Sequence, residues 1–282
     1  MIRFFLTLIL FSGMMTASAQ DTSGRKILNK MTAAGLSLHS SKFILHSTER
    51  MRNGQLRESE MLVKIQNHPL NYYVYCINPS PGAEALWREK TIGERLLINP
   101  NGFPYITLKL SPSHPLLRKE SHHSILELGF DYLIDLVEYY EKKIGPDFYK
   151  YISVTDTIVW EKRSCIVMSF DYPLYNYETY TVRIGETISS IAATLHLNDF
   201  SLLLLNPNVK SYDAVKPGQV IRVPNLYCKK IVLYVDRSSW LPLVQEVYDG
   251  SGLYEKYEFR SYLQNPPLSP DEFSPDYPKY KF

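Results

Sequence analysis

Three cysteines and a pair of adjacent histidines are the residues most able to do chemistry in this chain, and the spacing of each decides what chemistry is open. His122 and His123 invite a metal or acid–base reading. On a helix, adjacent side chains point about 100° apart, which keeps two neighbouring rings from sharing one ion. His114 is the one nearby third candidate, and no HExxH occurs to supply a zinc set. The bland reading puts both rings at the start of a mid-chain helix, bonded to a sheet or to backbone. A cysteine nucleophile needs an activating histidine. Cys76 and Cys165 lie in strand-like runs and Cys228 just before one, with no motif around any of them. No G-x-S-x-G elbow is present. The expectation is a protein that is not an enzyme and has no cofactor or metal.

The thiols also bear on compartment. Residues 1–19 have the three parts of a signal peptide: Arg3, the apolar run 4–11, and Ala17-Ser18-Ala19 as a small-residue cleavage site. The run is too short for a bilayer core that needs about 20 apolar residues. No cysteine precedes Cys76, so no lipid-attachment site follows the signal. The expectation is an exported, soluble protein of the periplasm or cell envelope. Three cysteines cannot all pair within one chain. Buried thiols acting as small hydrophobes are the favoured reading, with a Cys165–Cys228 bridge left open. Lys and Arg number 31 against 29 Asp and Glu, scattered without a basic block, which argues against a nucleic-acid partner. The 22 tyrosines suit half-buried sheets and ligand contacts equally.

The elements that must position these groups fall into two kinds. Residues 180–225 open with an alternating strand (Tyr180, Val182), then Gly185-Glu186-Thr187, then a helix bearing Ile188, Ile191, Ala192 and Leu195. A second helix spans about 198–205 and ends at Asn206-Pro207; Pro217-Gly218-Gln219 leads into a strand with Val220, Ile221 and Val223. This segment, about a sixth of the chain, resembles a LysM module, the small βααβ domain that holds N-acetylglucosamine polymers. The resemblance implies a shallow sugar groove with Gly185, Glu186, Thr187 and Ile188 on one side and Asn206, Pro207, Asn208 and Val209 on the other. Glycine lets backbone approach a ligand closely. Glu186 stands where the family usually has Asp. The competing reading is that Gly185-Glu186-Thr187 only caps the first helix, with Thr187 as N-cap; both can hold at once. The implied partner is peptidoglycan or chitin.

The rest of the chain reads as a helix near 25–38, a hairpin of strands 42–51 and 56–66 around Asn53-Gly54, and strands near 72–77, 95–98 and 106–110. Helical spacing of Ile125, Leu128, Tyr132, Leu136 and Tyr140 predicts a helix over about 121–143. Strands follow near 152–160 and 165–172, and after the LysM-like segment near 230–235, 241–248 and 253–262. Three late strands without a helix of their own must complete a sheet begun upstream. The LysM-like unit therefore sits inside the hairpin joining 165–172 to 229–236, since loop tips tolerate insertions.

This order, with Glu49-Arg50, Asn99-Pro100, His122-His123 and residues 236–242, is similar to lipoprotein carriers of the LolA and LolB type and, within them, to a secreted bacterial domain of unknown function. The resemblance implies an α+β fold: an antiparallel half-barrel with helices on its concave side and an apolar cleft for a lipid or lipidated ligand. A half-barrel filled by its own side chains, serving as an interaction platform, is the alternative. The expected division is 1–19 signal, 20–179 and 226–282 one split domain, and 180–225 the inserted one. The tail 265–282, with five prolines but also Phe273, Tyr277, Tyr280 and Phe282, is read as an ordered strap over the sheet.

Overall fold

The structure is a computed structural model that describes residues 13–89, 95–103, 105–118 and 121–282. Residues 1–12 of the expected signal segment lie outside the described residues. Helix α1 (Gly13–Leu36) leads into β1 (Ser40–Arg50), β2 (Leu56–Asn67), β3 (Leu70–Asn78), β4 (Glu84–Arg88), β5 (Leu96–Asn99) and β6 (Leu108–Leu110). A single turn, α2 (Pro115–Arg118), precedes the long α3 (Asp131–Ile144), then β7 (Ile152–Trp160) and β8 (Arg163–Asp171). The inserted unit is β9 (Tyr177–Thr181), α4 (Ile188–Leu195), α5 (Asp199–Leu205) and β10 (Val220–Pro224). The chain ends with β11 (Lys230–Asp236), β12 (Pro242–Asp249) and β13 (Gly252–Gln264).

Among the described residues, eleven strands form one open antiparallel sheet in the order β6-β5-β4-β3-β2-β1-β13-β12-β11-β8-β7. The late strands complete the sheet as expected: β13 pairs β1, and β11 pairs β8 with Lys230 opposite Asp171 and Asp236 opposite Cys165. The inserted unit thus leaves and re-enters the sheet at one hairpin, and its own end strands β9 and β10 pair antiparallel. Strand β4 has no expectation above; its run Glu84–Arg88 is short and follows Pro79 and Pro81, so no alternation marks it.

Period-two alternation puts successive residues on opposite faces, and the sheet is covered on both. Tyr72 packs on the concave side with Phe43, Leu45, Phe259 and, from α3, Ile134. Tyr73 packs on the convex side with Leu86 and Phe273 of the tail. The strap reading of the tail is met: Tyr280 stacks on Tyr73 at 3.8 Å between ring centroids, and Lys64 Nζ donates to Glu272. On the concave side α1 contributes Ile27, Leu28 and Met31, and α3 contributes Leu133, Leu136 and Tyr140.

One expectation is corrected. Residues 121–130 are not the start of the mid-chain helix, which begins at Asp131. Gly129 takes a left-handed φ of +102°, and only the three residues Ile125–Glu127 form a 3-10 turn. The apolar spacing of Ile125 and Leu128 arises because both pack against the concave core, which a helix is not needed to achieve. All three cysteines are free thiols, so the Cys165–Cys228 bridge is not formed. Among the described residues no single helix is long and apolar enough to cross a membrane.

Candidate glycan loops, buried cluster and apolar cavity

In the inserted unit, the capping reading holds in detail. Thr187 Oγ1 accepts from Ser190 N at 3.1 Å, and Ser190 Oγ accepts from Thr187 N at 2.8 Å, a reciprocal cap on α4. Gly185 has φ +81°, a left-handed conformation that glycine adopts without steric cost. Glu186 is tied inward, accepting from Tyr180 hydroxyl at 2.7 Å and from Arg183 N at 2.8 Å. Those two donors, the backbone one first, hold its carboxyl below the ordinary range.

The other loop differs in kind. Asn206 spends its side chain on structure: Nδ2 donates to Leu202 O and to Arg222 O, and Oδ1 accepts from Arg222 N, each at 2.8 Å. It staples the end of α5 to β10. Ile188 and Val209 are 0% and 1% exposed, packed in the unit's own core with Val182, Leu202 and Ile221. Gly185, Pro207 and Asn208 are exposed, as is Ile184, at 90%. Ile184 was not singled out above, because an apolar residue beside a strand reads as core; only the fold shows it turned outward.

The unit is docked on the larger domain. Arg52, from the β1–β2 turn, donates to Val209 O at 2.9 Å, Lys210 O at 3.2 Å and Pro207 O at 3.4 Å, so it grips the loop that carries Pro207 and Asn208. On the opposite flank, α3 meets the C-cap of α4: Tyr139 stacks on His196 at 3.6 Å, and Tyr140 hydroxyl donates to His196 O at 2.8 Å.

Where the inserted unit meets the main sheet lies a buried polar cluster built on Glu255. One Glu255 oxygen accepts from Tyr227 hydroxyl at 2.6 Å. The other is 2.9 Å from His122 Nδ1 and 3.2 Å from His123 Nε2. The second nitrogen of His123 is 2.8 Å from Glu127. Burial opposes the charged imidazole of His123, but Glu255 and Glu127 together outweigh it and hold it up at about 10. Burial would raise Glu255, yet the two histidines hold it well below the usual carboxylate range. His122 is fully buried, its ring stacked between Phe200 of α5 and Tyr254 of β13. Its carbonyl accepts from Asn198 Nδ2 at 3.0 Å, linking the inserted unit to the cluster. Both histidines therefore bond to sheet and backbone, although from a loop rather than a helix. Their partner Glu255 could not be singled out from sequence, since it lies in a strand with no local signal. Among the described residues no group of three or more His, Cys, Asp or Glu is placed to hold a metal ion.

His123, Glu127 and Glu255 form the polar end of an apolar cavity beneath α3, about 130 Å³ in volume and walled by Leu133, Leu136, Phe148, Met168, Leu233 and Val247. That is close to the size of an engineered cavity that holds one benzene molecule. Beyond Leu128 and Tyr257 the concave face continues as a groove of about 560 Å³, lined by Leu45, Met61, Val74, Leu96 and Ile98.

A LysM domain model matches residues 180–224. Solved structures of similar backbone include the Mycobacterium tuberculosis lipoprotein LppX, at 12% identity and TM-score 0.41, covering 88% of this chain and 98% of that one. LprF from Mycobacterium bovis is similar at 10% identity and TM-score 0.43, covering 88% and 95%. A LolA superfamily protein from Nitrosomonas europaea is similar at 12% identity and TM-score 0.35, covering 90% and 98%. The model of a family described as protein of unknown function, DUF1571, matches residues 39–183, more than half of the chain, and the chain belongs to that family.

Proposed function

We propose that this is an exported, non-enzymatic protein of the cell envelope that binds N-acetylglucosamine glycan, in peptidoglycan, through residues 180–225. The rest, 20–179 with 226–282, acts as one split domain that holds a lipid or lipidated ligand on its concave face. The observation that carries the reading is the LysM match at 180–224 on a unit whose capped loop at Gly185-Glu186-Thr187 and gripped loop at Pro207-Asn208 reach solvent. Gly185 admits close approach, while Thr187, Pro207 and Asn208 supply hydroxyl, carbonyl and amide groups for an acetamido sugar. Ile188, Asn206 and Val209 act beneath the surface: they hold the loops in shape rather than touch the sugar.

The test is co-sedimentation of the mature full-length protein with purified peptidoglycan. Binding that soluble chitotetraose displaces supports the reading, and absence of binding refutes it.

The alternative, a platform without a lipid, rests on the small size of the enclosed cavity. The cavity of about 130 Å³ has room for a short apolar group only, and the adjoining groove of about 560 Å³ has room for more of an acyl chain. Native mass spectrometry separates the two, because a carrier purifies with acyl species and a platform does not.

A further inference from the structure

A cleft of about 1240 Å³ runs between the inserted unit and the larger domain. Its LysM wall presents Thr187, Ser189, Tyr212 and Asp213, and its opposite wall presents Trp87, Asp135, Tyr139 and Arg118. Hydroxyls, carboxylates and aromatic faces on two sides are the groups that bind a sugar's hydroxyls and its apolar ring face. Trp87 and Arg118, which line the cleft, are each largely buried. Pockets of this kind gather at domain interfaces.

The cleft adjoins the apolar hollows and shares wall residues with them. Glu127, Tyr132 and Leu136 line both the cleft and the cavity beneath α3. His123, Leu128, Leu45 and Tyr257 line both that cavity and the concave groove. Residues of the non-helical stretch from His123 to Leu128 thus line all three hollows. Thr187, which belongs to the glycan loop proposed above, also faces the cleft.

We infer that the two proposed activities share one composite site, whose ligand is a single amphiphile: an N-acetylhexosamine head in the interdomain cleft with its alkyl chain running past Leu136 and Leu128 into the concave groove. This deepens the reading above and rests on it. Separate sites would bind a glycan and a lipid independently; a composite site reads head and tail together.

Titration calorimetry on the full-length protein tests it, with methyl and octyl β-N-acetylglucosaminides and octyl β-glucoside, all below their micelle concentrations. The octyl N-acetylglucosaminide is expected to bind at least tenfold tighter than either other compound. Ile98→Asp, in the wall of the groove, is expected to abolish the gain from the chain while leaving chitotetraose binding unchanged. The wild-type comparison needs no variant and stands even if Ile98→Asp fails to fold. If chitotetraose binds but the octyl chain adds nothing, or if octyl glucoside binds equally well, the composite site is overturned and the glycan reading survives. If chitotetraose itself does not bind, it is the glycan reading that falls.

Discussion

Glu49 and Glu255 stand directly opposite one another on β1 and β13, two carboxyl groups in one buried cross-strand pair, 8% and 1% exposed. Like charges in that position destabilise a sheet. Here the pair is bridged. Tyr257 hydroxyl donates to Glu49 at 2.7 Å and lies 3.2 Å from Glu255, and His122 offers its backbone N–H to Glu49 and its ring to Glu255.

Replacing one carboxylate oxygen of such a cluster by an amide nitrogen removes the charge and sets a donor against the donors that face it. Glu255→Gln is expected to cost about 3–5 kcal/mol, the range for breaking a buried ion pair from one side. Urea unfolding measures it. A loss under about 1 kcal/mol would show that the histidines find other partners.

The same cluster sets a pH dependence. His123 is raised from about 6.5 to about 10, so its contribution is complete below about pH 6.5 and is lost as pH rises through 10. Glu255 and Glu127 are lowered, so theirs is complete above the ordinary carboxylate range and lost as pH falls. Calorimetric melting should give its highest temperature near pH 5–6, with a decline from about pH 7 to 10 that His123→Gln flattens. An unchanged alkaline slope in that variant would remove His123 as its cause.

Arg52 bonds only backbone carbonyls of the Pro207–Asn208 loop, so its loss should loosen that loop without unfolding the unit. Arg52→Ala is expected to weaken chitotetraose binding roughly threefold to tenfold, a change of about 1 kcal/mol that is ordinary for such hydrogen bonds. The melting temperature should barely move. Equal affinity in the variant would show that the loop's conformation does not matter to the sugar.

The most buried anchor of the tail strap is Phe273, 2% exposed against Tyr73 and Leu86. Phe273→Ala should destabilise by about 3–5 kcal/mol if the pocket does not collapse. Limited proteolysis should then cut within 265–282, where the parent protein resists. A tail that stays protected would mean that the Tyr73–Tyr280 stack suffices.

Much of this was legible in the residues themselves because it is local. The β1–β2 hairpin around Asn53-Gly54, the capped helix at Thr187 and the aromatic tail each carry their signal within a few residues. The insertion of the LysM unit into a hairpin followed from the same local reading, since strands with one apolar face need neighbours. Other features depend on partners far apart in the chain. Tyr257 and Glu49 are separated by 208 positions, and no periodicity marks Glu255 as the carboxylate that both histidines share. Residues 121–130 carry helical spacing, yet a left-handed Gly129 and contacts with the concave core make them a loop. Asn206 bonds the backbone of Arg222, sixteen positions on, with both ends of its amide, a pairing that no local signal marks. Amino-acid order marked most of the strands and helices, though not β4 or the loop at 121–130. Tertiary structure alone decided which polar groups remain unspent, how large the cavity is, and that cleft, cavity and groove share walls. Each of those is a property of surfaces brought together from distant parts of the chain.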